Sequence, residues 1–307
     1  MGRWDKKKQK NTLNDDIYKE LLTMYQNGKG RSRNKDKDTP GATKNRIYST
    51  STYEGYKRQC RRFSRWLKKE HPEVKHLNQV KIEHVNKYLE TMIEEELSAS
   101  SISTAKAAIA KVLHVSSEEF IKTPERYRKD IKRSRNAVKR DKNLSKETEK
   151  KFAKLTSAIG GRRREMEALK GTDLKFNKHG VPFVYIKNGK GGKKRYAMIV
   201  GETPEETEEI IEIFKQAGKL NICSKLPSAF DNHYYRGVYA KRVYNKFVRP
   251  EEKIPDKQKY IMRKDRAGEV LDRRAMKITS RCLGHNRIDI IARHYLYNWK
   301  LKSWILS

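Results

Sequence analysis

Apolar residues recur every three or four positions along much of the chain, which is the spacing of amphipathic helices. Three such runs follow one another, from Tyr53 to Leu67, from Ile82 to Leu97 and from Ile102 to Leu113. A serine cluster before the third run can supply a helix N-cap. A fourth, shorter helix is predicted by Phe120, Ile121 and Tyr127. Residues 46–125 are therefore expected to form a helical bundle.

The second half of the chain mixes helical and strand-like patterns. Residues 145–159 and 163–170 look helical, whereas Val181–Ile186 and Tyr196–Val200 are strand-like and flank a Gly/Lys-rich turn. Thr203 to Glu206 form a capping box with proline at the first helical position, which predicts an acidic helix over 204–217. Residues 231–305 look mostly helical, with a polar loop near 250–272. The expected fold class is mainly α with a small antiparallel β-hairpin or sheet.

The domain plan follows from these patterns. Residues 1–45 are polar and are expected to form a basic N-terminal arm and linker, in which Leu13 to Tyr25 can make one short amphipathic helix. The helical bundle over 46–125 and the basic stretch 126–142 come next. An α+β domain is expected over 143–307.

The net charge of the chain indicates what kind of molecule it binds. Lys plus Arg number 72 and Asp plus Glu number 38, which gives a net charge of +34 on 307 residues. A charge of this size indicates a polyanionic partner, nucleic acid first and an anionic membrane surface second; the plain alternative is a merely soluble basic protein. No apolar stretch is long enough to span a membrane. The three scattered cysteines fit neither a disulfide framework nor a zinc site.

Basic clusters are spaced along the chain rather than gathered into one tail. Residues 122–142 hold ten Lys/Arg against three acids, and residues 187–195 hold five and no acid. Repulsion among so many cations favours a strap lying on phosphates over a solvated hinge. The predicted DNA contacts are Lys57, Arg58, Arg61, Arg62, Arg133, Arg135, Lys139, Arg140, Lys193 and Arg195.

Four short blocks of the second half combine arginine, lysine, histidine and tyrosine without a cluster of carboxylates. A two-metal nuclease needs several carboxylates, so these blocks point away from metal catalysis. Two guanidinium groups can instead clamp a phosphodiester and stabilise its transition state. A lysine or histidine can protonate the leaving oxygen, and a tyrosine oxygen can attack phosphorus.

These blocks resemble those of the tyrosine recombinases, also called the phage integrase family, and they occur in the family's order. Gly160, Arg162, Glu165, Leu169 and Asp173 match the first block, and Gly189, Lys190, Gly191, Lys193 and Arg195 match the hairpin block. His233 and Arg236 match the third block, and Leu283, Gly284 and His285 match the fourth. The bundle at 46–125 resembles the family's SAM-like core-binding domain, and 143–307 resembles its catalytic domain.

The resemblance implies six catalytic residues: Arg162, Lys190, His233, Arg236, His285 and Tyr295. Lys190 would protonate the 5′-oxygen, with Lys193 as the alternative, and His285 would bond the scissile phosphate. One departure is Gly237, which stands where the family often has a second histidine. A second departure concerns the tyrosine. In most of the family it lies nine residues after the histidine of the fourth block, but here that position holds His294. Tyr295 is therefore the preferred nucleophile and Tyr297 the alternative.

The implied activity is site-specific cutting and rejoining of DNA through a 3′-phosphotyrosyl intermediate and a Holliday junction, for a mobile element or phage, without a metal or other cofactor. The implied assembly is a homotetramer on two duplexes, with the C-terminal segment exchanged between protomers and a possible excision helper protein. The expected location is cytoplasmic and nucleoid-associated, with no membrane contact. The alternatives are a type IB topoisomerase and a DNA-binding protein that has lost catalysis.

Overall fold

The computed structural model describes residues 12–127, 144–190, 192–223, 225–263 and 266–296, and these form two compact units. The first unit contains the helices α1 (Leu13–Gly28), α2 (Arg33–Asp36), α3 (Thr50–Glu70), α4 (Ile82–Glu94) and α5 (Ala99–Val112). The second unit begins with α6 (Lys146–Ile159). Among the described residues, no helix is long and apolar enough to cross a membrane.

Helix α1 belongs to the core of the first unit, although the sequence analysis assigned residues 1–45 to an arm and linker. Thr12 and Asp15 form a capping box at its start, and its apolar stripe packs on α3 and α5. The stripe is fully buried at Leu13, Ile17, Leu21 and Met24. Burying four large side chains stabilises the unit far more than helix propensity alone would. At Gly28 the end of α1 lies directly against the backbone of Ile47, because an added Cβ would lie 2.5 Å from the carbonyl oxygen of Ile47.

The prediction of a fourth helix at Phe120 to Tyr127 is wrong. A single 3₁₀ turn covers Ser117–Glu119, and residues 121–127 have no helix. The backbone groups of Phe120 and Ile121 bond instead to side chains of the neighbouring helices. Asn86 accepts the N–H of Ile121 at 3.0 Å, and the Lys106 ammonium donates to the carbonyls of Phe120 and Ile121 at 3.4 and 2.6 Å.

The second unit combines helices with two small antiparallel sheets, which confirms the predicted fold class. After α6 come α7 (Arg163–Ala168) and the sheet β1–β2–β3 (Leu174–Phe176, Pro182–Ile186, Arg195–Met198). Then follow α8 (Pro204–Ala217) and α9 (Asn232–Phe247). A second hairpin, β4 (Lys259–Ile261) and β5 (Val270–Asp272), leads into α10 (Arg273–Cys282) and α11 (Asp289–His294).

Packing in the second unit centres on α9. This helix contacts α6 on one side and α10 on the other, and Tyr239 and Tyr244 are completely buried in it. Strands β2 and β3 lie within a residue or two of the two strand-like runs, and they pair with Ile186 opposite Arg195. The β4–β5 hairpin lies where the sequence indicated only a polar loop, because strands of three residues are too short to give an alternating pattern.

Candidate active site

Glu165 is a buried carboxylate that holds the first block together. Arg162 caps the start of α7: its backbone N–H donates to Glu165 Oε2 and its guanidinium donates to Oε1, both at 2.8 Å. Only 3% of the Glu165 side chain is exposed, against 21% for Arg162. The carboxylate therefore holds both the backbone N–H and the guanidinium of Arg162, whose side chain remains partly exposed.

A second arginine, Arg195 on β3, binds the same carboxylate. Its Nη1 and Nη2 donate to Glu165 Oε1 and Oε2 at 3.0 and 2.6 Å, and its Nε donates to the carbonyl of Cys282 at 3.0 Å. Its side chain is only 6% exposed. The DNA contact predicted for Arg195 therefore disagrees with the structure, because the guanidinium is buried inside the protein. Arg195 instead joins the hairpin to α7 and to the end of α10.

The ionisation of Glu165 follows from these contacts. Burial alone would raise the pKa of its carboxyl, but the hydrogen bonds and charge of Arg195, followed by the contacts with Arg162, lower it to about 2. The carboxylate is therefore charged at neutral pH. It supplies the negative charge among three arginines, since Nη1 of Arg236 lies 4.0 Å from its Oε2.

Arg236 links the first and fourth blocks from the second turn of α9. Its side chain is completely buried and donates to the carbonyls of Gly160 and Leu283, the latter at 2.5 Å. Its Nε lies 3.4 Å from the hydroxyl of Tyr295. Burial lowers the pKa of this guanidinium below its ordinary value. A buried charge is costly unless other groups bond to it, and these contacts supply such groups for Arg236. They also hold its guanidinium in one position beside Tyr295.

Two glycines allow the chain to approach these arginines closely. Gly160 ends α6 in the left-handed region at φ 68°, and Gly284 has φ 69°. An added Cβ on Gly284 would lie 2.8 Å from Cδ of Arg195. Gly160 and Gly284 thus satisfy backbone and packing requirements that other residues meet poorly.

Tyr295 and His285 meet beside Arg236. Tyr295 follows directly after α11 and is 7% exposed. Its hydroxyl lies 3.4 Å from Nε2 of His285, and the two ring centroids are 5.7 Å apart. Burial, followed by the charges of Arg236 and Arg162, lowers the pKa of His285 to about 4. The imidazole is therefore neutral at physiological pH.

The remaining two predicted catalytic residues, Lys190 and His233, are exposed and form the rim of the candidate site. Lys190 is in the turn between β2 and β3, where the N–H of Gly189 donates to the carbonyl of Lys193 at 3.0 Å. The charge of Lys190 contributes to lowering the pKa of His285, which places the two side chains in the same region. His233 lies in the first turn of α9, one turn before Arg236. The structure thus brings Arg162, Arg236, His285 and Tyr295 together, with Lys190 and His233 more exposed.

The predicted DNA contacts of the first unit lie along α3. Arg58, Arg61 and Arg62 are exposed, and Lys57 is half-buried with its ammonium 5.2 Å from the ring centre of Tyr18. Such a cation–π contact holds the lysine against the helix surface. Lys193 is exposed in the β2–β3 turn. Five predictions fall outside the described residues: Arg133, Arg135, Lys139, Arg140 and the alternative nucleophile Tyr297.

One further arginine of the first block has a role that its sequence did not reveal. Arg163 donates to the carbonyls of Leu226, Pro227 and Phe230 at 2.7 to 2.8 Å. It thereby fixes the loop that enters α9, the helix of His233 and Arg236. Nothing in the sequence distinguishes Arg163 from the neighbouring Arg164, because its partners are backbone carbonyls more than 60 residues away.

One group of side chains in the described part of the chain has the composition of a metal site. Candidate ligand atoms of His71, Glu73 and His84 lie within 4.8 Å of one another. However, Nδ1 of His84 accepts the N–H of Lys81 at 3.1 Å, so the neutral ring carries its proton on Nε2. Binding a metal at Nε2 would remove that proton and leave an imidazolate. This group is therefore better explained as a helix cap than as a metal centre.

Comparison with known proteins identifies the class to which this fold belongs. Residues 43–119 match the family described as phage integrase, N-terminal SAM-like domain. A structure of a lambda integrase tetramer bound to a Holliday junction matches 98% of this chain and 81% of its own, with 12% identity and a TM-score of 0.50. The fold is that of the tyrosine recombinases. The fold that the resemblance implied is confirmed.

Two other structures resemble the chain. The XerH site-specific recombinase bound to a palindromic difH substrate, in a post-cleavage complex, shares 14% identity; the match covers 94% of this chain and 92% of that one, with a TM-score of 0.48. The Tn1549 transposon integrase in complex with circular intermediate DNA shares 12% identity, with coverage of 94% and 96% and a TM-score of 0.47. No curated protein sequence matches the chain.

Proposed function

We propose that this protein is a site-specific DNA recombinase that cuts and rejoins DNA through a 3′-phosphotyrosyl intermediate. The observation that carries the proposal is the convergence on one phenol: Nε of Arg236 and Nε2 of His285 each lie 3.4 Å from the hydroxyl of Tyr295. A tyrosine between a guanidinium and a neutral imidazole is arranged to attack a phosphate that the guanidinium binds.

Each of the other site residues has a role in this reaction. Arg162 and Arg236 hold the non-bridging oxygens of the scissile phosphate and stabilise the charge that develops on them. The neutral His285, whose pKa of about 4 leaves the imidazole uncharged at pH 7, bonds the scissile phosphate, and the phenolic proton is lost to water as the Tyr295 oxygen attacks. Lys190, with Lys193 as the alternative, protonates the 5′-oxygen as it leaves. His233 contacts the phosphate from the rim.

The bond that forms joins the Tyr295 oxygen to phosphorus, and the bond that breaks joins phosphorus to the 5′-oxygen. The phosphotyrosyl ester conserves the energy of the broken bond. The free 5′-hydroxyl of a partner duplex can therefore attack the phosphorus, rejoin the DNA and release the tyrosine. No metal or nucleotide cofactor is needed for either step. Reciprocal exchange on two duplexes passes through a four-way junction.

The assembly is proposed to be a homotetramer on two recombination sites, with the C-terminal segment of each protomer exchanged with its neighbour. The lambda integrase structure, described as a tetramer bound to a Holliday junction, supports the proposed number of protomers. An excision helper protein completes the proposed set of partners. The predicted domain plan remains part of the proposal with α1 added to the first domain, and the basic stretch 126–142 separates this domain in sequence from residues 143–307.

The proposal is tested by trapping the covalent complex. Nicked duplexes built from the DNA that flanks the gene release a short 5′-hydroxyl fragment after attack, so the enzyme stays attached. The wild-type protein is expected to give an SDS-resistant band, Tyr295→Phe is expected to bind without giving the band, and Tyr297→Phe is the matched control that retains it.

The alternatives give different results in the same experiment. Loss of the band in Tyr297→Phe and its persistence in Tyr295→Phe would move the nucleophile to Tyr297. A type IB topoisomerase would relax supercoiled plasmid without any preferred site. A binding protein without catalysis would show selective, salt-sensitive binding and no covalent band.

A further inference from the structure

The segment that carries Tyr295 is a short helix whose end is bonded from another part of the second unit. Helix α11 has only six residues, Asp289–His294, and Tyr295 follows it directly. The last carbonyls of a helix have no partners within the helix, so they must be bonded by other groups. The N–H groups of Tyr295 and Leu296 both donate to the carbonyl of Ile291 at 3.0 Å.

Arg266, from the loop between β4 and β5, supplies the missing partners. Its Nη1 donates to the carbonyl of Ala292 at 2.9 Å, and its Nη2 donates to the carbonyl of Leu296 at 3.2 Å. The first carbonyl lies three residues before Tyr295 and the second lies directly after it. The guanidinium thus bonds the main chain on both sides of the tyrosine.

The guanidinium is itself fixed by a carboxylate. Nε and Nη2 of Arg266 donate to the two oxygens of Glu269 at 2.7 and 2.5 Å, and the Arg266 side chain is 10% exposed. Glu269 is part of the hairpin, since its carbonyl accepts the N–H of Met262 at 2.9 Å. A planar guanidinium held in this way loses little further freedom when it binds the two carbonyls.

We propose that Arg266 is a positioning residue, which anchors the main chain around Tyr295 and holds the phenol at the distance from Arg236 and His285 that attack requires. This inference rests on the proposed function, because it assumes that Tyr295 is the nucleophile. Arg266 does not touch the phenol or the phosphate in this proposal. It acts through the backbone of the segment from Ala292 to Leu296.

The physical reason is the steep dependence of such reactions on placement. A shift of about 1 Å in a reacting atom can cost about 100-fold in rate. Arg266→Ala removes both anchoring bonds, so the cleavage rate at saturating DNA is expected to fall about 100-fold. DNA affinity is expected to stay unchanged. Arg266→Lys is expected to recover part of the rate, because an ammonium can still donate to one of the carbonyls.

Arg249→Ala is the matched control. Arg249 also binds a carboxylate through two nitrogens, at 2.7 and 2.8 Å from the two oxygens of Asp272. It belongs to the same unit and none of its described hydrogen bonds reaches the segment from Ala292 to Leu296. This variant loses a comparable ion pair and is expected to lose thermal stability while keeping the cleavage rate at saturating DNA.

The experiment combines single-turnover cleavage of nicked duplexes, DNA affinity and hydrogen exchange of residues 289–296. In Arg266→Ala we expect slow cleavage, normal affinity and faster exchange in this segment; Arg249→Ala should show neither slow cleavage nor faster exchange there. Equal cleavage rates in the two variants, or unchanged exchange in Arg266→Ala, would overturn the inference. If the wild-type protein formed no covalent complex through Tyr295, the proposed function would fail, whereas the exchange result would still report whether Arg266 anchors the segment.

Discussion

The buried carboxylate of Glu165 makes a strong quantitative prediction. Glu165→Gln is the suitable change, because glutamine has the shape of the protonated glutamic acid and lacks the charge. The substitution would leave Arg195 and Arg162 around a neutral amide. Breaking a buried ion pair by removing one partner typically costs about 3 to 5 kcal/mol.

The magnitude can also be derived from the ionisation of Glu165. Its pKa falls from the ordinary value of 4.5 to about 2 in the folded protein. At about 1.4 kcal/mol per pH unit, this difference corresponds to about 3 kcal/mol of stability when the carboxylate is charged in both states. Because the folded pKa is the lower one, this stability is complete above pH 4.5 and is lost as the pH falls towards 2. At pH 3, about 1.4 kcal/mol should remain.

The assay must separate the two units. Urea unfolding can be followed by peroxide oxidation of buried methionines, which works at both pH values. Met166 and Met276 are completely buried in the second unit and report its unfolding, whereas Met24 and Met92 report the first unit. The free energy of unfolding is compared between wild type and Glu165→Gln at pH 7 and at pH 3.

We expect the second unit to lose about 3 kcal/mol at pH 7 and less than half of that at pH 3, with the first unit unchanged. Glu209→Gln is the control, since Glu209 pairs with Lys154 on the surface and is 56% exposed. Surface pairs of this kind contribute at most about 1 kcal/mol. A loss below 1 kcal/mol in Glu165→Gln, or the same loss at both pH values, would refute the role assigned to this carboxylate.

Three further predictions concern the site. The pKa of His285 in the free protein, measured by NMR titration, should be about 4; a value at or above 6.5 would mean that the imidazole is not buried among arginines. Arg236→Lys should slow single-turnover cleavage by about 100-fold, since one donor to a developing oxyanion contributes about 3 kcal/mol; an unchanged rate would remove Arg236 from the site. Gly284→Ala should destabilise the second unit in urea by more than about 1 kcal/mol, because its φ is 69° and the new Cβ would press on Arg195; wild-type stability would show that this turn relaxes freely.

Local signals in the sequence predicted most of the second unit. The capping box at Thr203 and Glu206 placed the start of α8 at Pro204, and the hydroxyl of Thr203 accepts the N–H of Glu206 at 3.2 Å. The strand-like runs around the Gly/Lys-rich turn placed β2 and β3. These features depend on residues a few positions apart, so a single sequence contains the whole signal.

Features that depend on distant partners were not predictable in the same way. The apolar stripe of α1 predicted a helix, but the spacing of its residues does not show which other helices pack on it. Arg195 was interpreted as a DNA contact because it is basic and lies in a basic turn. Its position in the strand held a usable signal: Arg195 and Ala197 are buried while Tyr196 between them is exposed, the alternation of a strand with one buried face. The two carbonyls that Arg266 binds could not be found from the sequence.

The most direct test of the account identifies the residue that becomes linked to DNA. Trypsin should cut after Arg293 and Lys300 and release one peptide, residues 294–300, that contains both Tyr295 and Tyr297. Fragmentation of this peptide from the trapped complex locates the phosphate and shows which end of the DNA it carries. The account predicts a 3′-phosphate on Tyr295. A 5′-linkage, or a phosphate on Tyr297 or on any residue outside this peptide, would contradict it.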